Sequence, residues 1–238
     1  MPYSDVNRAD PVEAARGIIN RHFPGCTVAI LSGSALRHVT PTSDLDLVVF
    51  DASCGDVFRK SFTDGGWPVE VFLLQQESYR FYLDEAAYSG VPSLLRMCAE
   101  GVVIKDDGSA AAFIQEAREC LLEGPPEWED NDSRRCRYQL SELLDDFIGG
   151  ENGAEHMFTI SRIVLLLSEF VLRSNRCWIG GDGKWMSRAL EDFDPDLADG
   201  LLRAVGLFYS RSDKEPLIQL CEEQLAAYGG RLFEGYEE

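Results

Sequence analysis

Two aspartates separated by one residue stand at the head of an otherwise apolar run, Ser43-Asp44-Leu45-Asp46-Leu47-Val48-Val49-Phe50. Side chains alternate along an extended strand, so Asp44 and Asp46 share one face. Two carboxylates so close repel each other unless a positive charge lies between them. Magnesium suits that place: it takes one or two carboxylates and completes its shell with water and phosphate oxygens. A third acid, Glu70, interrupts a second apolar run, Pro68-Val-Glu-Val-Phe-Leu-Leu74. If the two runs are neighbours in one sheet, three carboxylates converge as the donor set of a two-metal site. Upstream, the β-branched run Cys26-Thr-Val-Ala-Ile-Leu31 ends in Ser32-Gly33-Ser34. A glycine there lets backbone N–H groups come close to phosphates, and the Ser34 hydroxyl can donate to them.

The elements that must position these residues follow from the pattern. Asp10-Pro11 reads as a cap and first-turn proline opening a helix that runs to about Phe23, stopped by Pro24-Gly25. Strands are expected over 26–31, 45–50, 68–74 and 102–105. Helices are expected around Asp56–Thr63, ending at Gly65-Gly66, and over 76–88, 93–99 and 109–122. The segment Gly124-Pro-Pro-Glu-Trp-Glu-Asp-Asn-Asp132 breaks every periodicity and reads as a linker. Beyond it the pattern is only helical: about 133–148, 154–175, 185–192, 195–209 and 214–228. The expected architecture is therefore α+β, a mixed domain over 1–124 followed by an all-helical domain over 132–238.

Taken together, Gly33-Ser34, a short spacer, the apolar-flanked Asp44-x-Asp46 and the strand-borne Glu70 resemble the motif of the nucleotidyltransferase superfamily that shares the DNA polymerase β-like fold. The resemblance covers about residues 26–105. A mixed half followed by a helical half is similar to the antibiotic adenylyltransferases of the streptomycin, spectinomycin and kanamycin types. The resemblance implies Mg2+-dependent transfer of AMP, or another NMP, from ATP or another nucleoside triphosphate to a hydroxyl of a small molecule, with pyrophosphate released. It implies that Asp44 and Asp46 hold the metals and that Gly33 and Ser34 hold the triphosphate. Glu70 is then a ligand of the second metal or the acceptor of the hydroxyl proton. Other readings are a protein-modifying or antitoxin-type member, which adds AMP to a partner protein, and an inactive nucleotide-binding module. The presence of all three acids favours catalysis over the last.

The helical half offers two more candidates. In Arg137-Tyr-Gln-Leu-Ser-Glu-Leu-Leu-Asp-Asp146, the residues Leu140, Leu143, Leu144 and Phe147 form an apolar face, and Glu142, Asp145 and Asp146 lie towards the polar one. Asp145 is the first choice there for a general base or an anchor of a cationic substrate. In Trp178-Ile-Gly-Gly-Asp-Gly-Lys-Trp185, Lys184 follows a glycine-rich turn at a helix N-terminus, where phosphate is favoured. The alternative is a tight helix–helix turn with the flanking tryptophans as core. Arg37 and His38 precede Asp44 in a loop that phosphate could approach.

Composition bounds the partners. With 22 basic and 41 acidic residues among 238, the net charge is −19. Such a surface repels nucleic acid and is compatible with a cationic acceptor such as an aminoglycoside. The acidic segment around Glu127, Trp128, Glu129 and Asp130 is one place where ammonium groups could gather, with cation–π contact to the tryptophan. Seven scattered cysteines without a Cys-x-x-Cys pair read as reduced thiols, mostly buried. No apolar run reaches a membrane span, and the start Met1-Pro-Tyr-Ser-Asp5 lacks the basic patch and apolar stretch of a secretory signal. The expected location is cytoplasmic, and nothing in the sequence specifies an oligomeric state.

Overall fold

The computed structural model describes residues 8–55 and 58–237. The chain separates into two compact units, Met1–Glu123 and Gly124–Glu238. The first is α+β and the second is helical throughout.

The first unit opens with α1 (Pro11–His22). The Asp10 side chain accepts from Val12 N at 2.9 Å and Glu13 N at 3.2 Å, satisfying donors that the first helical turn leaves unpaired. Then come β1 (Val28–Ser32), a one-turn 3-10 helix (Ser34–Leu36), β2 (Leu45–Phe50), β3 (Arg59–Asp64) and β4 (Trp67–Leu74). Helices α2 (Gln76–Ser89) and α3 (Ser93–Glu100), strand β5 (Val102–Lys105) and α4 (Ala110–Glu123) complete it. The strands form one mixed sheet in the order β3-β4-β2-β1-β5. Only β2 and β4 run parallel; the other pairs are antiparallel.

Alternation divides the sheet into two faces. Leu45, Leu47 and Val49 of β2, with Val69, Val71 and Leu73 of β4, pack against Ala15, Ile18 and Ile19 of α1. The residues between them, Asp46, Val48 and Phe50, point the other way. There Phe50 stacks on Phe113 at 4.1 Å and meets Tyr79 edge-on at 5.4 Å.

The expected helix around Asp56–Thr63 is not formed. Residues 59–64 are the edge strand β3, while Asp56 and Val57 lie outside the described residues. The reason is the turn: Gly65 and Gly66 both have positive φ, 55° and 81°, and close a two-residue hairpin that places Asp64 opposite Trp67. That backbone twist matches antiparallel strands and favours glycine at both positions. Asp64 fastens the hairpin to α1, accepting from Arg21 Nη2 at 2.8 Å and lying 2.7 Å from His22 Nε2.

The second unit contains α5 (Asp130–Gly149), α6 (Gly153–Ser174), α7 (Lys184–Phe193), α8 (Pro195–Arg211) and α9 (Glu215–Ala226). The linker is shorter than the sequence suggests. Asp130 and Asp132 belong to the first turn of α5, where the helix dipole favours negative charge. Leu140, Leu144 and Phe147 are fully buried, and Leu143 is half-buried. Phe147 lies edge-on to His156 at 5.4 Å and to Phe208 at 5.2 Å. The C-terminal segment is strapped along α5: Arg137 Nη2 donates to Gly230 O at 2.9 Å, and Leu232 N donates to Ser141 Oγ at 2.8 Å. Among the described residues no helix is long and apolar enough to cross a membrane.

All seven cysteines are free; Cys26, Cys98, Cys136 and Cys221 are buried, and the other three are half-buried. Burial pushes the thiols of Cys98 and Cys221 up to about 12, so both are unreactive packing residues.

Two stability measurements check this reading. Replacing Phe147 by Ala is expected to cost about 3–5 kcal/mol in urea denaturation followed by circular dichroism. The Asp64 carboxyl is held below its usual range by hydrogen bonds from Arg21 and then His22. Its stabilisation is therefore complete above the ordinary aspartate value and is lost as the pH falls through the lowered folded value. Asp64→Asn is expected to melt earlier than the native chain at pH 7, with the difference closing at pH values below the ordinary 3.8.

Candidate active site

The sheet registers place two of the first unit's sequence candidates, Asp46 and Glu70, in one transverse row. Asp46 of β2 lies opposite Ser32 of β1 on one side and Glu70 of β4 on the other. Glu70 in turn lies opposite Ser61 of β3. Partners in register share a face, so Ser32, Asp46, Glu70 and Ser61 form a polar row across four strands. The next row is Ile30, Val48, Phe72 and Arg59, and Arg59 alone in it is charged.

Gly33 ends β1 with φ 87° and ψ −172°, a conformation essentially confined to glycine. A Cβ built there would stand 2.1 Å from Asp46 Oδ2. The Asp46 carboxylate thus occupies the volume that any other side chain at position 33 would need. Ser34 follows at the start of the 3-10 turn, exposed, and its carbonyl accepts from Arg37 N and His38 N, each at 3.0 Å. Arg37 pairs with Glu100 at 3.3 Å, and His38 is exposed.

Asp44, half-buried, directly precedes β2, and the loop before it is tied down. Ser43 is buried and its Oγ accepts from Thr40 N at 2.8 Å. Arg8 donates to Ser43 O and Pro41 O, both at 2.9 Å, while its guanidinium lies 4.8 Å from the Trp67 ring centroid. The anchor of Asp44 is therefore a backbone clamp that reaches across the sequence.

Glu70 is held differently. Arg59 Nη2 donates to its Oε1 at 2.6 Å. The same guanidinium lies 5.2 Å from the Phe72 ring, two residues along β4. Among the described residues no three His, Cys, Asp or Glu side chains are gathered into a ready metal cage. The donor chemistry of Asp44 and Asp46 fits a hard cation that asks for one or two carboxylates. The third acid is already committed to a guanidinium.

The remaining candidates belong to the second unit. Asp145, exposed on α5, is paired with Arg231, whose other nitrogen lies 3.9 Å from Glu222. Lys184 is the first residue of α7 and exposed, with its ammonium 5.3 Å from the Trp185 ring. Trp185 is itself 44% exposed, and Trp178 is half-buried, so the alternative of a turn with both tryptophans as core does not hold. Trp128 is half-buried and lies under the Arg173 guanidinium at 5.7 Å, a contact with its own chain in place of an outside ammonium.

Two cavities line this unit. One of about 540 Å³ is bordered by Asp145, Asp146, Glu155 and His156. The other, about 250 Å³, is bordered by Trp128, Asp132, Arg135, Arg162 and Glu169. Burial pushes the Glu169 carboxyl up, against the pull of Arg162, Arg173 and Arg135.

Sequence reasoning missed Arg59, Arg8 and Ser43. The Asp64-Gly65-Gly66 hairpin signal would have placed Arg59 beside Phe72 and Glu70. Nothing local in the sequence points to Arg8, because its partners lie over thirty residues away.

No family model matches the chain, and no curated protein matches it significantly. Among solved structures, a nucleotidyltransferase-like protein from Exiguobacterium sibiricum 255-15 is similar, at 14% identity and a TM-score of 0.46. The match covers 91% of this chain and 73% of that one.

The contact between positions 33 and 46 is open to direct test. Gly33→Ala is expected to lose about 1–3 kcal/mol from backbone strain alone. Denaturant titration beside a surface control, Gly25→Ala, measures it, since a Cβ at Gly25 meets nothing within 4 Å.

Proposed function

We propose that the chain is a Mg2+-dependent nucleotidyltransferase. It moves a nucleoside monophosphate, AMP before others, from a nucleoside triphosphate to a hydroxyl of a small molecule. The observation that carries this reading is the seating of Asp46: its carboxylate lies on Gly33 at the end of one strand, in register with Glu70 on the next. The glycine turn and the Asp46 carboxylate are thereby fixed to one another by a single contact.

In this reading Asp44 and Asp46 hold the ion, which when bound neutralises charge on the phosphates. The backbone at Gly33 and the exposed Ser34 hydroxyl hold the triphosphate. The acceptor oxygen forms a bond to the α-phosphorus as the bond from that phosphorus to the bridging oxygen breaks. The electron pair leaves with pyrophosphate, and the hydroxyl proton passes to Glu70. Asp145, the alternative general base, is paired with Arg231. Catalysis of this kind is chiefly positioning and charge stabilisation. A net charge of −19 favours a cationic acceptor, with aminoglycosides as the class to try, and disfavours nucleic acid.

Calorimetry with ATP and GTP, with and without Mg2+, tests the reading on the native chain and on Asp46→Asn. Metal-dependent binding that the substitution weakens is expected. Pyrophosphate release with a cationic acceptor is expected to fall on the order of 100-fold or more in the variant. Binding of neither nucleotide would sink the proposal, and binding without release across a panel of acceptors would favour a nucleotide-sensing module.

A further inference from the structure

The third acid has a partner that a two-metal site does not call for. In such a site the carboxylate beside the aspartate pair shares a second ion with them. Here Glu70 stands next to Asp46 in register, yet its Oε1 receives the Arg59 guanidinium at 2.6 Å. Arg59 is held on a second side by the Phe72 ring at 5.2 Å. That ring meets Phe58 edge-on at 5.6 Å, and Phe58 stacks on Tyr82 at 3.9 Å. The hairpin fixes the placement, since Arg59 is the register partner of Phe72 and lies one row from Glu70. An arginine is charged at every working pH, and its planar fork matches a carboxylate. A divalent ion entering on the same oxygen would meet this fixed like charge.

We propose that Arg59 takes the place of the second cation. The chain then holds one divalent ion, on Asp44 and Asp46, and Arg59 is a positioning residue that acts through Glu70. This rests on the nucleotidyltransferase reading. It departs from that reading's usual form, in which the third carboxylate is a metal ligand.

The experiment counts bound Mn2+ by the electron paramagnetic resonance signal of the free ion, using the full chain with an α,β-methylene analogue of ATP. The native chain is expected to hold one ion and Arg59→Met two. Arg59→Lys, which keeps the charge, is expected to return to one. Arg59 is 58% exposed on an edge strand, so the variants are expected to fold; melting curves check this. If Arg59→Met melts early, Arg59→Gln carries the count. Two ions on the native chain, or one on both neutral variants, would overturn the role of Arg59 and leave the transferase reading standing. No ion on the native chain, even with the analogue present, would remove the transferase reading and this proposal together.

Discussion

The Asp46 carboxylate and the absent side chain of Gly33 compete for one volume, and most of the first unit is arranged around that contact. It requires β1 to end where β2 has its second residue, which the antiparallel register Ser32–Asp46 provides. It requires the backbone at 33 to turn with positive φ, which lifts Ser34 to the surface at the start of a short helical turn. It also requires β2 to keep its register. A slip of one residue would drive Asp46 into the Leu45, Leu47 and Val49 face packed on α1 and bring a leucine to Gly33. Those three side chains are fully buried, so the hydrophobic packing of one face fixes the electrostatics of the other.

The polar row across the sheet shows how much of the site is a matter of register. Ser32, Asp46, Glu70 and Ser61 come from four strands spread through the first half of the chain, and no segment contains more than one of them. Around the row, arginines act at different levels. Arg8 holds backbone carbonyls and so fixes the path into Asp44. Arg59 holds a side chain and so fixes where Glu70 points. Arg21 holds Asp64 at the hairpin end and so fixes the edge strand that carries Arg59. Exposed ion pairs of this kind contribute little to stability one at a time. Their effect here is geometric, since each restrains a loop, a hairpin end or a side chain that borders the row or leads to it.

The parts of this arrangement that were legible in the sequence are those written in local signals. Asp10-Pro11 caps α1, and apolar runs mark β1, β2 and β4. The error at β3 shows the limit. Phe58-Arg-Lys-Ser-Phe-Thr63 has few residues that choose between helix and strand, and a Gly-Gly pair ends either. What decides is that an edge strand with mixed side chains gains its hydrogen bonds from β4, a partner that the segment does not contain. The linker was overdrawn for a related reason. Asp130, Asn131 and Asp132 look like turn residues, yet acids in a first helical turn are stabilised by the helix that follows them. The Arg59–Glu70 pair was out of reach because it depends on the hairpin, and the hairpin was read as a helix end.

The helical unit raises a separate question of charge. A chain of net charge −19 buries Arg173 to 3% exposure, with Nε and Nη1 lacking partners among the described residues. A lone guanidinium so placed would be costly, and its compensation comes from Glu169 and Asp132, both bordering the smaller cavity. Asp132 pairs with Arg135 at 2.7 Å, and the charges of Arg162 and Arg173 work against the upward push of burial on the Glu169 carboxyl. Two acids thus act on the one buried guanidinium, and removing both would leave its charge unanswered. Such an arrangement resists change more than a row of surface carboxylates does. It follows that the overall negative field and the local character of this cavity are separate properties. The charge of −19 belongs to the whole chain, whereas this cavity is bordered by two arginines as well as by Asp132 and Glu169.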